Sequence, residues 1–106
     1  MAALSATGIP IAHLSWPTGS APELPWMVFY LSDDRRLNAD NIRWNSFTEW
    51  TVELYQKNAS EEVESLVEGA INDSFGDYYK EEMWLDDEQC VMTSYTFTEI
   101  ERSHNG

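Results

Sequence analysis

The sequence predicts an α+β fold: an antiparallel sheet of about five strands, with a mixed sheet as the alternative, and one main helix on one face. Two observations lead to this prediction. Apolar residues recur at helical spacing in one segment only, and five other segments have the length and the apolar or alternating pattern of strands. The predicted order is β-β-β-α-β-β, and one helix packed on a sheet is the simplest two-layer arrangement.

A length of 106 residues corresponds to a single domain spanning 1–106, with room for one hydrophobic core. The hydrophobic content of 42% is sufficient for folding. We expect residues 1–8 and 102–106 to be flexible, as chain ends often are.

The first two strands flank a loop rich in Pro and Gly. A short strand is predicted around Ile11–Trp16, and the continuously apolar WMVFYL, 26–31, predicts a strand that is buried on both faces or meets another chain. The following SDDRRLNADN is rich in Asp and Asn, which favours a turn.

Residues 42–55 alternate between apolar and polar side chains, which indicates a long half-buried strand. The even positions, which include Trp50, Val52 and Leu54, form the apolar face. Phe47 and Tyr55 lie on the polar face, where a neighbouring subunit could cover them.

The helix is predicted from SEEVESLVEGAINDSFG, with Ser60 as the N-cap and Gly76 at the C-terminal end. Its outward face carries Glu61, Glu64, Glu68 and Asn72, which we interpret as an ordinary solvated face. The last two strands are predicted in 77–85 and 90–101, joined by DDEQ. The predicted core consists of Val28, Trp50, Val52, Leu54, Val63, Leu66, Val67, Ile71 and Phe75.

The charge balance argues against several classes of partner. Six basic residues stand against nineteen acidic ones, giving a formal net charge of −13. Such a surface repels the phosphates of nucleic acids and of anionic membranes, so specific DNA, RNA or membrane binding is not expected. No apolar run approaches the roughly 20 residues of a membrane span.

The residues with reactive side chains do not form a catalytic pattern. Cys90 follows acidic residues that raise a thiol pKa, and the only histidines are His13 and His104. The spacing of Cys and His does not suit zinc, and the acidic pairs lack the spacing of a calcium loop. We therefore expect no catalytic residues, no metal and no cofactor, and predict that the protein is not an enzyme.

One helix covers only part of a five-strand sheet, and 13% of the residues are aromatic. Self-association therefore explains the surplus of aromatic side chains better than a monomer does. Arg35 and Arg36 form the only basic doublet, suited to pairing with acids of a neighbouring subunit.

The segments GIPIAHLSWPTGSAPELPWMVFYL, NADN and WTVELYQKNASEEVE, in this order and spacing, resemble tail terminator, or tail completion, proteins of long-tailed bacteriophages and prophages. The resemblance extends over nearly the whole chain, more loosely after residue 75. The sequence departs from the pattern at Trp26 and Trp50, where the family has Tyr and a smaller aliphatic residue.

The resemblance implies a non-enzymatic ring, usually a hexamer, in the virion tail, made in the cytoplasm of the bacterial host. Such a ring caps the tail tube, contacts the major tail tube protein and the head-connector or head-completion protein, and lets DNA pass without binding it specifically. On this basis we predict that the subunit or partner interface contains Arg35, Arg36, Asn38, Asp40, Phe47, Glu49 and Tyr55. The acidic excess is expected to line part of the lumen.

The sequence leaves three alternatives open. Head–tail joining proteins and minor tail components of similar size come from the same gene region. A monomeric acidic adaptor or inhibitor would bind a basic protein partner in a salt-dependent way. A small enzyme with a substrate-assembled site would show an apolar pocket with convergent polar groups.

Overall fold

The computed structural model describes residues 2–17, 19, 21–36 and 45–102, without the side chains of 33–36, 45–47 and 100–102. Its elements, in chain order, are α1 (Ala2–Ser5), β1 (Ile11–His13), β2 (Trp26–Arg36), β3 (Asn45–Gln56), α2 (Glu61–Phe75), β4 (Tyr79–Leu85) and β5 (Cys90–Arg102).

The five strands form one mixed sheet in the order β1-β2-β3-β5-β4. β1 pairs in parallel with β2, and the other neighbours are antiparallel. The prediction of an α+β fold is confirmed, but a purely antiparallel sheet is wrong because of β1. α2 connects β3 to the far edge strand β4, and β5 then returns between them.

The N-terminal segment, for which flexibility is predicted over residues 1–8, contains a short helix. Ala2–Ser5 form a short helix, and Leu4 is completely buried in the core. The Thr7 hydroxyl donates to the Leu4 carbonyl oxygen at 2.7 Å and accepts from the Ile9 amide at 3.2 Å. These bonds hold the turn that leads into β1. At the other end, β5 continues to Arg102, and 103–106 lie outside the described residues.

β1 is shorter than the predicted Ile11–Trp16. Leu14 has a φ of 71°, which an extended strand does not permit, and the Ser15 amide bonds back to the His13 carbonyl oxygen at 2.8 Å. The chain therefore leaves the sheet after three residues and enters the loop of residues 14–25.

β2 is longer than predicted. Asp33–Arg36, expected in a turn, continue the strand and pair with Ser46–Glu49 of β3, after an irregularity between Leu31 and Asp33. Pairing on both sides of β3, with β2 and β5, stabilises this polar extension where local propensity favours a turn. The predicted strand 42–55 is observed as Asn45–Gln56, and 42–44 lie outside the described residues.

α2 begins and ends where the sequence predicted. The Ser60 hydroxyl accepts from the Val63 amide at 3.3 Å, and three glutamates occupy the first turn. Gly76 has a φ of 92° and donates its amide to the carbonyl oxygens of Ile71 and Asn72. A short connection then leads into β4.

The main core lies between α2, α1 and one face of the sheet. Of the predicted core residues, Val52, Leu54, Val67 and Ile71 are completely buried there, while Trp50, Val63 and Phe75 are partly buried against it. Leu66 is a correction, because it is 53% exposed. The helix presents Val63, Val67 and Ile71 to the sheet, and Leu66 lies beside this stripe where no described element covers it.

The remaining core residues were not predicted: Leu4, Ile9, Met27, Tyr95 and Phe97. Val28, which was predicted, is buried but lies outside this cluster. It pairs with Glu53, beneath the loop of residues 14–25 on the opposite face of the sheet.

Candidate interaction surface

The sheet has two stretches of edge that no described strand covers. β4 is the last strand on one side, and its outer edge is unpaired along Tyr79–Leu85. On the other side, β1 covers β2 only from Met27 to Phe29. The outer edge of β2 from Leu31 to Arg36 therefore has no strand partner within the described ranges. Unpaired edges carry backbone donors and acceptors that another chain can use.

The two open edges lie at opposite ends of the strands. β4 is aligned, through β5, with the Thr51–Gln56 half of β3. The open part of β2 is aligned with the other half of β3, from Ser46 to Trp50. The sheet is thus open at two diagonally opposite corners, which gives the molecule two different edges, and a head-to-tail contact between copies joins two different surfaces.

β4 exposes large apolar side chains on both faces. Tyr79, Met83 and Trp84 are 64%, 55% and 52% exposed. Successive strand residues point to opposite faces, so Tyr79 and Met83 share one face and Trp84 lies on the other. The sequence predicted this strand, but the predicted interface does not include it. The available signal was its mixture of apolar and charged residues on both faces, which is typical of an edge strand.

The charge of β4 is partly neutralised from the helix. Lys80 Nζ lies 3.0 Å from Glu64 Oε1 and 2.7 Å from Glu68 Oε2. The hydrogen bond to Glu68 is the main cause that raises the pKa of Lys80 above its ordinary value. Burial favours a higher pKa for Glu68, but the bonds from Lys80 and Tyr95 outweigh it and hold that pKa below its ordinary value.

Glu64 and Glu68 therefore do not form the plain solvated face that the sequence predicted. Tyr95 Oη also donates to Glu68 Oε2 at 2.9 Å, so one carboxylate joins α2 to both β4 and β5. With Lys80 occupied in this way, Glu81 and Glu82 are the charges that β4 leaves available to a neighbour.

The structure brings only part of the predicted interface together. Arg35 is paired in the sheet with Phe47, and the next row pairs Arg36 with Ser46. Glu49 lies two residues further along β3, so these four predicted residues occupy one end of the sheet. Asn38 and Asp40 lie outside the described residues.

Tyr55 lies at the opposite end of β3, eight residues from Phe47, or roughly 26 Å along a strand. Its ring packs on Trp26 with centroids 4.6 Å apart, and its hydroxyl donates to Glu53 Oε1 at 2.6 Å. The contacts of Tyr55 are thus with its own chain. It belongs to a cluster of aromatic residues formed by Trp16, Trp26, Tyr30 and Tyr55.

That cluster surrounds the carboxylate of Glu53. Tyr30 Oη donates to Glu53 Oε2 at 2.8 Å, so each carboxylate oxygen accepts a hydrogen bond from a phenol. Burial, followed by the bond to Glu53, raises the pKa of Tyr30 to about 12 and raises that of Tyr55 as well. Both phenols therefore remain protonated donors at neutral pH, and they fix the orientation of Glu53.

The remaining candidate sites offer little chemistry. Cys90 is buried, and burial together with Glu88 raises its thiol pKa, which disfavours the nucleophilic thiolate. Among the residues described, no three His, Cys, Asp or Glu side chains are grouped as metal ligands. An open groove beside Leu66 and Val63 is lined by one turn of α2. Within the described part of the chain, no helix has the length and apolar character needed to cross a membrane.

The comparisons with known proteins find similarity among solved structures. No protein-family model matches the sequence, and a search of curated proteins finds no match. The chain is similar to a chain in the solved structure of the virion of a native gene transfer agent particle, with a TM-score of 0.55 and 11% sequence identity. The similarity covers 97% of this chain and 87% of that chain. At this level of identity, the similarity shows a shared fold.

Proposed function

We propose that this protein is a structural component of a phage-like virion, and specifically a tail terminator or completion protein. A ring of copies, by our proposal a hexamer, caps the tail tube and joins it to the head connector. The observation that carries the proposal is the fold shared with a chain of the gene transfer agent virion over 97% of this chain. The sequence resemblance described above supports the terminator role within that class.

The two open edges supply a means of assembly. A ring needs one surface that fits a different surface on the next copy. We propose that β4 of one subunit pairs with the Leu31–Arg36 edge of β2 in the next, which continues the sheet across the interface. This edge of β2 carries Asp33 and Asp34 as well as the Arg35–Arg36 doublet, and we propose that Glu81 and Glu82 of β4 pair with the arginine end of it.

The apolar side chains of β4 fit the same interface. Tyr79, Met83 and Trp84 lose solvent exposure when another strand and its side chains pack beside them, and burial of such surface favours association. The acidic excess of the chain suits a lumen through which DNA slides, since like charge prevents adhesion. The proposed role requires no catalysis, so we expect Cys90→Ala to assemble normally.

The test is the mass of the protein in solution by light scattering, alone and with tail tubes of the same phage. We expect a ring, either in isolation or on the tubes. Met83→Lys places a charge on the edge strand and should prevent assembly. The matched control is Leu66→Lys, which introduces the same charge at a similarly exposed apolar residue on α2 and should assemble.

The outcomes separate the alternatives. Loss of assembly in Leu66→Lys but not in Met83→Lys would indicate that the contact between subunits lies on α2 and not on the edge of the sheet. A monomer that does not bind tail tubes would contradict the terminator proposal. A salt-dependent complex with a basic protein would then favour the acidic adaptor.

A further inference from the structure

A pocket lies on the sheet face opposite α2, between β2, β3 and the loop of residues 14–25. Its volume is about 380 Å³, which is within the range of protein ligand pockets, roughly 300–1,000 Å³. Trp26 and Val28 of β2 and Glu53 and Tyr55 of β3 form the floor. The wall consists of Leu14, Ser15, Trp16, Pro17, Gly19 and Ala21.

Among the described residues that line this pocket, Glu53 alone is charged. Among the described side chains, the ion pairs join Lys80 to Glu64 and Glu68, and none involves Glu53. Each carboxylate oxygen has two lone pairs, and the phenols of Tyr30 and Tyr55 use one on each oxygen. One acceptor position therefore remains on each oxygen of a carboxylate that two hydrogen bonds hold in place.

Aromatic rings stand beside this carboxylate. The Trp26 and Tyr55 rings lie 4.6 Å apart at 34°, and Trp16 meets Trp26 edge-on, at 6.1 Å and 70°. The π face of Trp or Tyr attracts a cation, and attracts it more strongly where water is excluded. Aromatic rings next to an oriented carboxylate that has no ion pair among the described side chains make a site for a positively charged group.

We propose that this pocket binds an arginine side chain presented by a partner protein. A guanidinium is planar, stacks on aromatic rings, and donates two parallel hydrogen bonds to a carboxylate, whereas an ammonium offers only a compact point charge. A formal net charge of −13 favours the approach of a basic partner. The pocket is distinct from the open edges of β2 and β4, so this proposal does not depend on ring formation.

The probe is N-acetyl-arginine methylamide, with the citrulline analogue as a neutral control of almost the same shape. The readout is the pair of indole N–H signals of Trp16 and Trp26 in two-dimensional NMR of the intact protein. We expect saturable shifts with the arginine compound and at least about tenfold weaker binding of the citrulline compound, because citrulline lacks the charge that strengthens the hydrogen bonds.

Glu53→Gln should raise the Kd for the arginine probe about tenfold, since it removes the charge and keeps the size. Glu62→Gln, the same change at an exposed residue of α2, should leave the Kd unchanged. The comparison of arginine with citrulline uses the wild-type protein, so it remains valid if Glu53→Gln does not fold.

Equal binding of the two compounds, the absence of any saturable shift, or an equal effect of Glu62→Gln would overturn the proposal. Glu53→Gln should also leave the mass in solution unchanged. A change in mass would assign the pocket to a contact between copies of this chain and overturn the assignment to a different partner.

Discussion

β4 and β5 are the two arms of one hairpin, yet their side chains lie in opposite environments. In β5, Thr93, Tyr95 and Phe97 are buried, whereas every residue of β4 from Tyr79 to Trp84 is exposed. Both strands carry aromatic and other apolar residues. β5 lies between β3 and β4 and beneath α2, while β4 has a neighbour on one side only.

The comparison shows that position in the sheet, rather than composition, decides what an aromatic residue does. Tyr95 stabilises the fold through its contacts with Glu68, Tyr78 and the surrounding core. Tyr79, in the adjacent strand, is available to another molecule. Substitutions in β5 should therefore affect folding, and substitutions in β4 should affect assembly.

The largest effect is expected from Tyr95→Ala. This change removes a completely buried ring and a hydrogen bond to Glu68, and truncations of buried aromatic residues cost about 3–5 kcal/mol. Chemical denaturation should show a loss of this size in the free energy of unfolding. Tyr79→Ala is the matched control in β4. An equal loss of stability in this variant would contradict the assignment of β5 to folding and β4 to assembly.

A smaller effect is expected at the start of the helix that covers β5. Ser60→Ala removes the hydroxyl that accepts from the Val63 amide, which should lower the free energy of unfolding by about 1 kcal/mol. Ser65→Ala, on an exposed turn of the same helix, is the control and should change stability by no more than about 0.5 kcal/mol. Equal effects of the two substitutions would argue against a capping role.

The Glu68 carboxylate, which joins α2 to β4 and β5, should give a pH dependence. Its pKa is lower in the folded protein than the ordinary value of 4.5, so its ionised form stabilises the fold at neutral pH, and this contribution disappears as pH falls through the folded pKa. The stability difference between wild type and Glu68→Gln should therefore shrink between pH 6 and pH 3. Glu62→Gln controls for the general loss of negative charge, and a difference that is constant with pH would contradict the assignment.

The smallest effect on folding is expected for Trp84→Ala in β4. The side chain is half exposed, and its indole donates only to the exposed Asp86 of the adjacent turn. The free energy of unfolding, measured by chemical denaturation, should change by less than about 0.5 kcal/mol. Assembly measured by light scattering should nevertheless weaken, and a variant that is destabilised but assembles fully would reverse the proposed roles of β4 and β5.

The sequence predicted features that depend on local chemistry. The period of two in β3 placed Val52 and Leu54 on the core face, and the pattern of α2 identified both its core stripe and its caps at Ser60 and Gly76. These predictions succeeded because side-chain periodicity and capping are set by neighbours along the chain.

Side-chain periodicity predicted less about the candidate interaction surface. Arg35 and Phe47 were both predicted for the interface, and the structure pairs them across β2 and β3. Tyr55 shares the polar face of β3 but lies at its opposite end, against Trp26. Alternation identifies a face of a strand, but it does not show which end is covered by the chain's own loop.

By itself, the sequence determined an acidic chain with an α+β fold, its long helix α2, the face of β3 that enters the core, and a resemblance to tail terminator proteins. Only the tertiary structure decided the parallel pairing of β1, the burial of Leu4, the exposure of Leu66, and the edge position of β4. The physical reason is that strand order and burial depend on contacts between residues far apart in the chain. A tyrosine is buried in β5, which has a strand on each side, and exposed in β4, which has a strand on one side only.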